Sequence, residues 1–335
     1  MSRQPPSSNT GAPITAPSEN QVLIDWFGFT MPFEDPWQVV DLLGLSRSLF
    51  SKLDRGGMGY KAKLQFNGIS VYYDGSQNMG VHVEITGKGC RDYEAGKQDW
   101  RQLIAVIQLC KGHLTRLDIA VDTVDGSIDL EQVNDHLQRG QTRSKFRSFG
   151  EHKKFAFTPD LPVAKGRTFY FGSGSSLALF RLYDKAAQMQ TTDNRPWARF
   201  EIQLRDERAD VAAELIVKRS DLGKIAAGII NENISFISLD DSNKTRCSLQ
   251  PWWSLWLGTT EKLKLTKVKA IKVLSEVQEY IKKQYAPTLA MLKKGLGSAR
   301  FHDYINEVFT DGYKRMTKKH EDIILVSRLT TEYPF

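Results

Sequence analysis

Apolar and charged residues alternate in three stretches of the chain: Thr115-Arg116-Leu117-Asp118-Ile119-Ala120-Val121-Asp122, Phe180-Arg181-Leu182-Tyr183-Asp184-Lys185 and Arg199-Phe200-Glu201-Ile202-Gln203-Leu204-Arg205. Side chains at i and i+2 share one face of a strand, so the period of two predicts a half-buried strand in each. Leu117, Ile119 and Val121 take the core face of the first, Phe180 and Leu182 of the second, Phe200, Ile202 and Leu204 of the third. The opposite faces then carry Arg116, Asp118, Ala120 and Asp122; Arg181, Tyr183 and Lys185; and Arg199, Glu201, Gln203 and Arg205. An antiparallel sheet with one charged face is either wetted there or holds a site.

The remaining pattern predicts a strand over residues 22–30, a helix over 37–53, and a hairpin of 61–66 and 69–73 closed by Asn67-Gly68, a pair that tolerates positive φ. His82, Glu84 and Thr86 share the polar face of a strand over 81–86 that Gly87-Lys88-Gly89 stops. Helices are expected over 98–110 and 130–138, strands over 154–157 and 167–171, and helices over 206–218 and 221–230. Strands, a helix and a further strand thus recur, without a residue-by-residue repeat. From Leu249 the character changes to an aromatic cluster, Trp252, Trp253 and Trp256, followed by lysine-rich helical sequence. The expected architecture is α+β: antiparallel sheet with helices packed on one face and a charged open face, plus a mostly helical C-terminal region. Its divisions are a disordered tail over 1–20, an α+β domain over 21–248 and a basic helical region over 249–335.

Composition narrows this only a little. The 335 residues carry a formal charge of +7 and a pI of about 9.1, which suits an anionic partner. Cys90, Cys110 and Cys247 have no metal-finger spacing, and the six histidines are scattered. A reducing cytoplasm is the expectation, with no membrane-spanning run and no signal-peptide core.

The charged face changes the picture more. Carboxylates without a Cys/His cluster suit a hard cation such as Mg²⁺ or Mn²⁺. Asp118 and Glu201, with Glu84, are the candidate ligands, and such a cation would offset charge during phosphate displacement. A phenol with a pKa of ~10 needs help to act as a nucleophile; Lys185 and Arg181 flank Tyr183 to give it or to hold the phosphate. Each group has a plainer reading too: a tyrosine that packs, and acids that pair across strands with Arg116 and Arg199.

Taken in order and spacing, the three strands resemble the Rep_trans family, the replication initiation factors of rolling-circle plasmids and the related relaxases. Ile24-Asp25-Trp26-Phe27-Gly28-Phe29-Thr30 and His82-Val83-Glu84-Ile85-Thr86-Gly87-Lys88-Gly89-Cys90-Arg91 are similar to the filamentous-phage branch. The resemblance covers roughly residues 22–257. It implies a nicking-closing enzyme whose nucleophile is Tyr183, and a divalent metal on Asp118 and Glu201. Plasmid members often carry a glutamate where this chain has Gln188, which makes Glu84 the candidate third ligand. No His-hydrophobic-His motif is present, so the chain does not resemble the HUH endonucleases.

The implied partner is origin DNA, duplex and single-stranded, inside a bacterial host, with a host helicase and a homodimer as further possibilities. Lys262, Lys264, Lys267 and Lys269 are expected to contact phosphates, as are Arg116, Arg199 and Arg205. A basic loop over 142–154 is the second candidate. Two other functions fit the sequence: a mobilisation relaxase with the same chemistry, and a non-catalytic origin-binding repressor or copy-control protein.

Overall fold

The computed structural model describes residues 16–157, 163–191, 195–219, 221–258, 265, 274–317, 320 and 324. In chain order its elements are β1 (Gln21–Met31), α1 (Pro36–Leu42), β2 (Ser51–Leu53), β3 (Ala62–Phe66), β4 (Ile69–Tyr73), β5 (Val81–Ile85), α2 (Gly87–Ala95), α3 (Trp100–Leu109), β6 (His113–Thr123) and α4 (Leu130–Gln138). They continue as β7 (Thr142–Ser144), β8 (Phe149–Ala156), β9 (Val163–Phe171), β10 (Ala178–Asp184), α5 (Lys185–Met189), β11 (Ala198–Arg205), α6 (Asp206–Arg219), α7 (Leu222–Asn233), β12 (Ile234–Phe236), α8 (Pro251–Leu257) and α9 (Leu274–Lys314). Two compact units divide at Thr266 and Lys267.

One antiparallel sheet dominates the first unit, in the order β2-β3-β4-β5-β1-β6-β11-β10-β9-β8; β7 and β12 form a separate pair. Alternation sets its two faces as the sequence predicts. Phe27, Phe29, Leu117, Ile119, Phe180, Leu182, Phe200 and Ile202 are buried on one side. Helices α6 and α7 pack there on β6, β11 and β1, and α1 on β4. Tryptophans of α8 join the same core: the Trp253 ring lies 4.8 Å from Phe236 and Trp256 6.0 Å from Phe200. The sheet unit therefore reaches past the boundary expected at 249.

Other local expectations shift for identifiable reasons. The helix expected over 37–53 ends at Leu42; Gly44 takes φ +67 and the chain re-enters the sheet at β2. Gly87-Lys88-Gly89 does stop β5 but also starts α2, with Gly89 packed too closely on Gly68 to admit a Cβ. Leu109, an apolar residue at the end of the helix expected over 98–110, is exposed. Residues 16–20, placed in the tail, are held by Arg195, which donates to the Ala16 and Pro17 carbonyls, and by Asn20, which donates to Asp125. Residues 1–15 lie outside the described residues.

In the second unit, α9 is two helical stretches interrupted at Gly297, which has φ +76. Its exposed apolar residues include Ile281, Tyr285, Met291, Tyr304 and Phe309. Lys262, Lys264, Lys267 and Lys269 lie outside the described residues. No described helix is long and apolar enough to cross a membrane.

Candidate active site

The site follows from strand register. Tyr183 on β10 lies opposite Arg199 on β11, which lies opposite Asp122 on β6. In the next row Arg181 faces Glu201, and Glu201 faces Ala120. One row further Gln203 faces Asp118. A β-bulge between Ile24 and Trp26 turns the extra residue, Asp25, toward the same face. Four strands, β1, β6, β10 and β11, thereby bring one tyrosine, four acids and several cations together.

Contacts among these groups are dense. The Tyr183 hydroxyl donates to Glu201 Oε2 at 3.1 Å. Arg181 donates to Glu201 Oε1 and lies 3.6 Å from Asp118. Arg116 holds Asp118 with two hydrogen bonds of 2.9 and 2.6 Å and stacks on the Trp26 ring at 4.2 Å. Arg199 makes bonds of 2.6 and 2.8 Å to Asp122 and an ion pair of 3.0 Å to Asp25. Lys185 lies over the Tyr183 ring at 5.7 Å and donates to Gln188.

The face is therefore not bare, as alternation alone suggests. Asp118 is 1% exposed, and Tyr183 and Glu201 are buried too, because the arginines lie flat across the acids. Burial pushes the Asp118 carboxyl up to about 7 against the pull of Arg116, with Glu201 adding to the rise. The Tyr183 phenol is raised well above its ordinary range, by burial first and then by Glu201. Lys185 is lowered to about 8 by burial and by Arg199. Asp122 also loses hydration, but its bonds to Arg199 outweigh this and hold it below the usual carboxylate range. Two donors on this face, Arg181 Nε and Trp26 Nε1, are buried with no hydrogen-bond partner among the described residues. Buried donors of that kind are ready to receive oxygen ligands.

Of the candidate residues, Tyr183, Arg181, Lys185, Asp118, Glu201, Arg116 and Arg199 share this face. Arg205 sits at its end, donating to the Gly174 and Ser176 carbonyls. Glu84 is not brought to Asp118 and Glu201. It lies on β5 opposite Gly28, with β1 between it and β6, and accepts from the Tyr72 hydroxyl at 3.2 Å. Among the described residues no three His, Cys, Asp or Glu side chains form a metal-sized group. Asp25 and Asp122 were not among the candidate ligands. The sequence signal for Asp25 is a charge breaking the apolar run Val22-Leu23-Ile24. The basic loop is partly tied down: Arg143 donates to the Lys244 and Thr245 carbonyls, and Lys145 pairs with Glu232.

Residues 112–309 match the replication initiation factor family. The chain belongs to that family. Residues 21–106 match the rolling circle replication initiation protein N-terminal domain, so the two matches divide the sheet between β1 and β6. A protein of Bacillus subtilis (strain 168) named "Putative DNA relaxase NicK" is 26% identical over 94% of this chain and 95% of its own length. The rolling circle replication initiator protein from Geobacillus stearothermophilus has a solved structure that superposes with a TM-score of 0.67. It is 32% identical and covers 74% of this chain and 99% of that one. Neither relative speaks for the filamentous-phage branch.

Proposed function

We propose that this chain nicks and rejoins one DNA strand through a covalent phosphotyrosine at Tyr183. The observation that carries the reading is the Tyr183–Glu201 hydrogen bond, set in a face of arginines on strands matching the initiator family. Glu201 takes the phenolic proton as Tyr183 Oη attacks phosphorus. A Tyr–O–P bond forms and the P–O3′ bond breaks. The 3′ oxygen leaves with a proton from Lys185 or water, and the 5′ phosphate stays on the protein. Reversal by a 3′-hydroxyl reseals the strand, because each step exchanges one phosphodiester for another. Arg181 and Arg199 offset charge on the phosphate oxygens.

The all-oxygen donor set of Asp118 and Glu201 fits a hard divalent cation, since the two already share one positive group, Arg181. Two carboxylates completed by substrate phosphate and water is a common Mg²⁺ arrangement. Asp118 and Glu201 would hold the ion once Arg181 turns to the phosphate. When bound, it supplies charge neutralisation for the displacement.

Lys262, Lys264, Lys267 and Lys269 contribute phosphate contacts on the duplex in this reading. The biological role is initiation of rolling-circle replication. The relaxase name of the Bacillus relative favours strand transfer of a mobile element as a second role for the same chemistry. Incubation with supercoiled origin plasmid tests the activity. Nicked and relaxed products with protein on the 5′ end, formed with Mg²⁺ or Mn²⁺ and lost in excess EDTA, are expected. Origin binding without cutting would instead indicate a repressor.

A further inference from the structure

The sheet is nearly symmetric about its central pair: β1-β5-β4-β3-β2 on one side and β6-β11-β10-β9-β8 on the other. Both halves run strand, helix, strands, helix, in the same chain order: β1, α1, β2 to β5, α2, and then β6, α4, β8 to β11, α6. The recurrence seen in the sequence is thus a topological duplication, with β4 equivalent to β10 and β5 to β11.

That equivalence extends to side chains. Glu84 on β5 pairs with Gly28 on β1 and Ser70 on β4, as Glu201 on β11 pairs with Ala120 on β6 and Arg181 on β10. One row along, Tyr72 faces His82, as Tyr183 faces Arg199. Tyr72 donates to Glu84 Oε2 at 3.2 Å; Tyr183 donates to Glu201 Oε2 at 3.1 Å. A lysine lies over each ring, Lys63 at 5.6 Å and Lys185 at 5.7 Å.

What differs is the cutting equipment. Ser70 replaces Arg181, His82 replaces Arg199, and Trp26 and Thr30 stand where the other half has Asp118 and Asp122. Burial pulls His82 down to about 4, so it is neutral near pH 7 and supplies no charge for an anion. Two cations of this half, the exposed Arg55 and the half-buried Lys63, sit together. They line an open recess of about 600 Å³ with Leu53, Asp54 and Gly56. Gly57 brings the same loop against the Tyr72 ring. Lys63 on β3 is six strand spacings of ~4.8 Å from Tyr183 on β10, which puts this recess roughly 29 Å away. Arg116 on Trp26 lies between them on the same face.

We propose that the N-terminal half is a second, non-cutting strand site, in which Arg55 and Lys63 beside Tyr72 bind a phosphodiester of the single strand engaged at Tyr183. This rests on the nicking reading for the strand's origin, and it adds a holding point that fixes how far the strand runs across the sheet. An ammonium and a guanidinium at the mouth of a recess give phosphate contacts without the paired acids and arginines that the displacement needs.

The test uses the full chain carrying Tyr183→Phe, so that bound strands stay intact, and single-stranded oligonucleotides centred on the nick. One oligonucleotide is too short to reach roughly 29 Å from the nick and one extends well beyond it. Arg55→Ala with Lys63→Ala is expected to weaken the long oligonucleotide at least fivefold. Its salt dependence should become shallower, by a log–log slope of ~0.7 for each phosphate no longer neutralised. Affinity for the short one should not change. Lys218→Ala with Lys224→Ala removes two exposed cations from the helical side and should leave both affinities unaltered. Equal affinities for the long oligonucleotide in the parent and the Arg55/Lys63 variant overturn the second site alone. The same holds if both oligonucleotides are weakened equally. Failure of the unsubstituted chain to cut the plasmid would count against the nicking reading separately.

Discussion

Replacing Arg181 by Met tests both roles assigned to this arginine. Arg181 lies between Glu201 and Asp118, and Asp118 is essentially sealed from water. Methionine keeps most of the stem's packing but leaves the two buried acids with less compensation. Breaking a buried ion pair from one side costs about 3–5 kcal/mol. For a unit of this size, at ~2–4 °C per kcal/mol, that predicts a loss of roughly 6–20 °C in Tm. A divalent cation should then be held more firmly than in the parent, because no guanidinium competes for the carboxylates. At a concentration 100 times its Kd the ion would restore about 2.7 kcal/mol. Thermal melts with EDTA and with Mn²⁺, read for both proteins, measure the two effects together. Nicking should still fall, since the arginine no longer meets the phosphate. If the variant is as stable as the parent in EDTA, the ion-pair account is wrong. If Mn²⁺ stabilises neither protein, Asp118 and Glu201 do not take a cation.

Three further outcomes follow from the structure. Glu201→Gln keeps the volume but removes the proton acceptor, and should slow nicking by about 10²–10⁴-fold; a rate within threefold of the parent would move the base elsewhere. His82 titrates near 4 in the fold against 6.5 in an unfolded chain, so the unfolded state binds the extra proton between these values. The His82 contribution to stability should therefore be lost as pH falls through that window, by about 2 kcal/mol between pH 7.5 and 5, while Asp118, raised to about 7, contributes in the opposite sense. The stability difference between parent and His82→Gln in urea unfolding at the two pH values isolates the His82 part and should shift by that amount. Trp253 is fully buried against Phe236 and Phe200. Trp253→Ala should thus cost about 3–5 kcal/mol in unfolding of the sheet unit, and a cost under 1 kcal/mol would detach α8 from that core.

Local chemistry was legible in the sequence where one period governs a whole strand. Alternation gives both faces of β6, β10 and β11, and Asn67-Gly68 gives the hairpin of β3 and β4. What alternation does not carry is which strands are neighbours. Register between β6 and β11, some eighty residues apart, decides that Arg199 meets Asp122 and that Arg181 bridges Glu201 and Asp118. For the same reason the charged strands did not show that their arginines would cover the acids. Glu84 shares a residue type and a polar face with the site acids, yet β1 separates it from β6. Its partner is Tyr72, a pairing visible only once β4 and β5 are aligned. Asp25 depends on a bulge, which inserts one residue and defeats any reading by strict alternation.

Covalent capture at Tyr183 tests the nicking mechanism most directly. A single-stranded oligonucleotide spanning the nick is incubated with the full chain and a divalent cation, and the adduct is located by proteolysis and mass spectrometry. The expected product is a 5′-phosphoryl oligonucleotide on the peptide containing Tyr183. Tyr183→Phe should remove that adduct and most nicking of the supercoiled plasmid while keeping the unfolding midpoint near that of the parent. An adduct on another residue, or a Tyr183→Phe protein that cuts at the parent's rate, contradicts the mechanism.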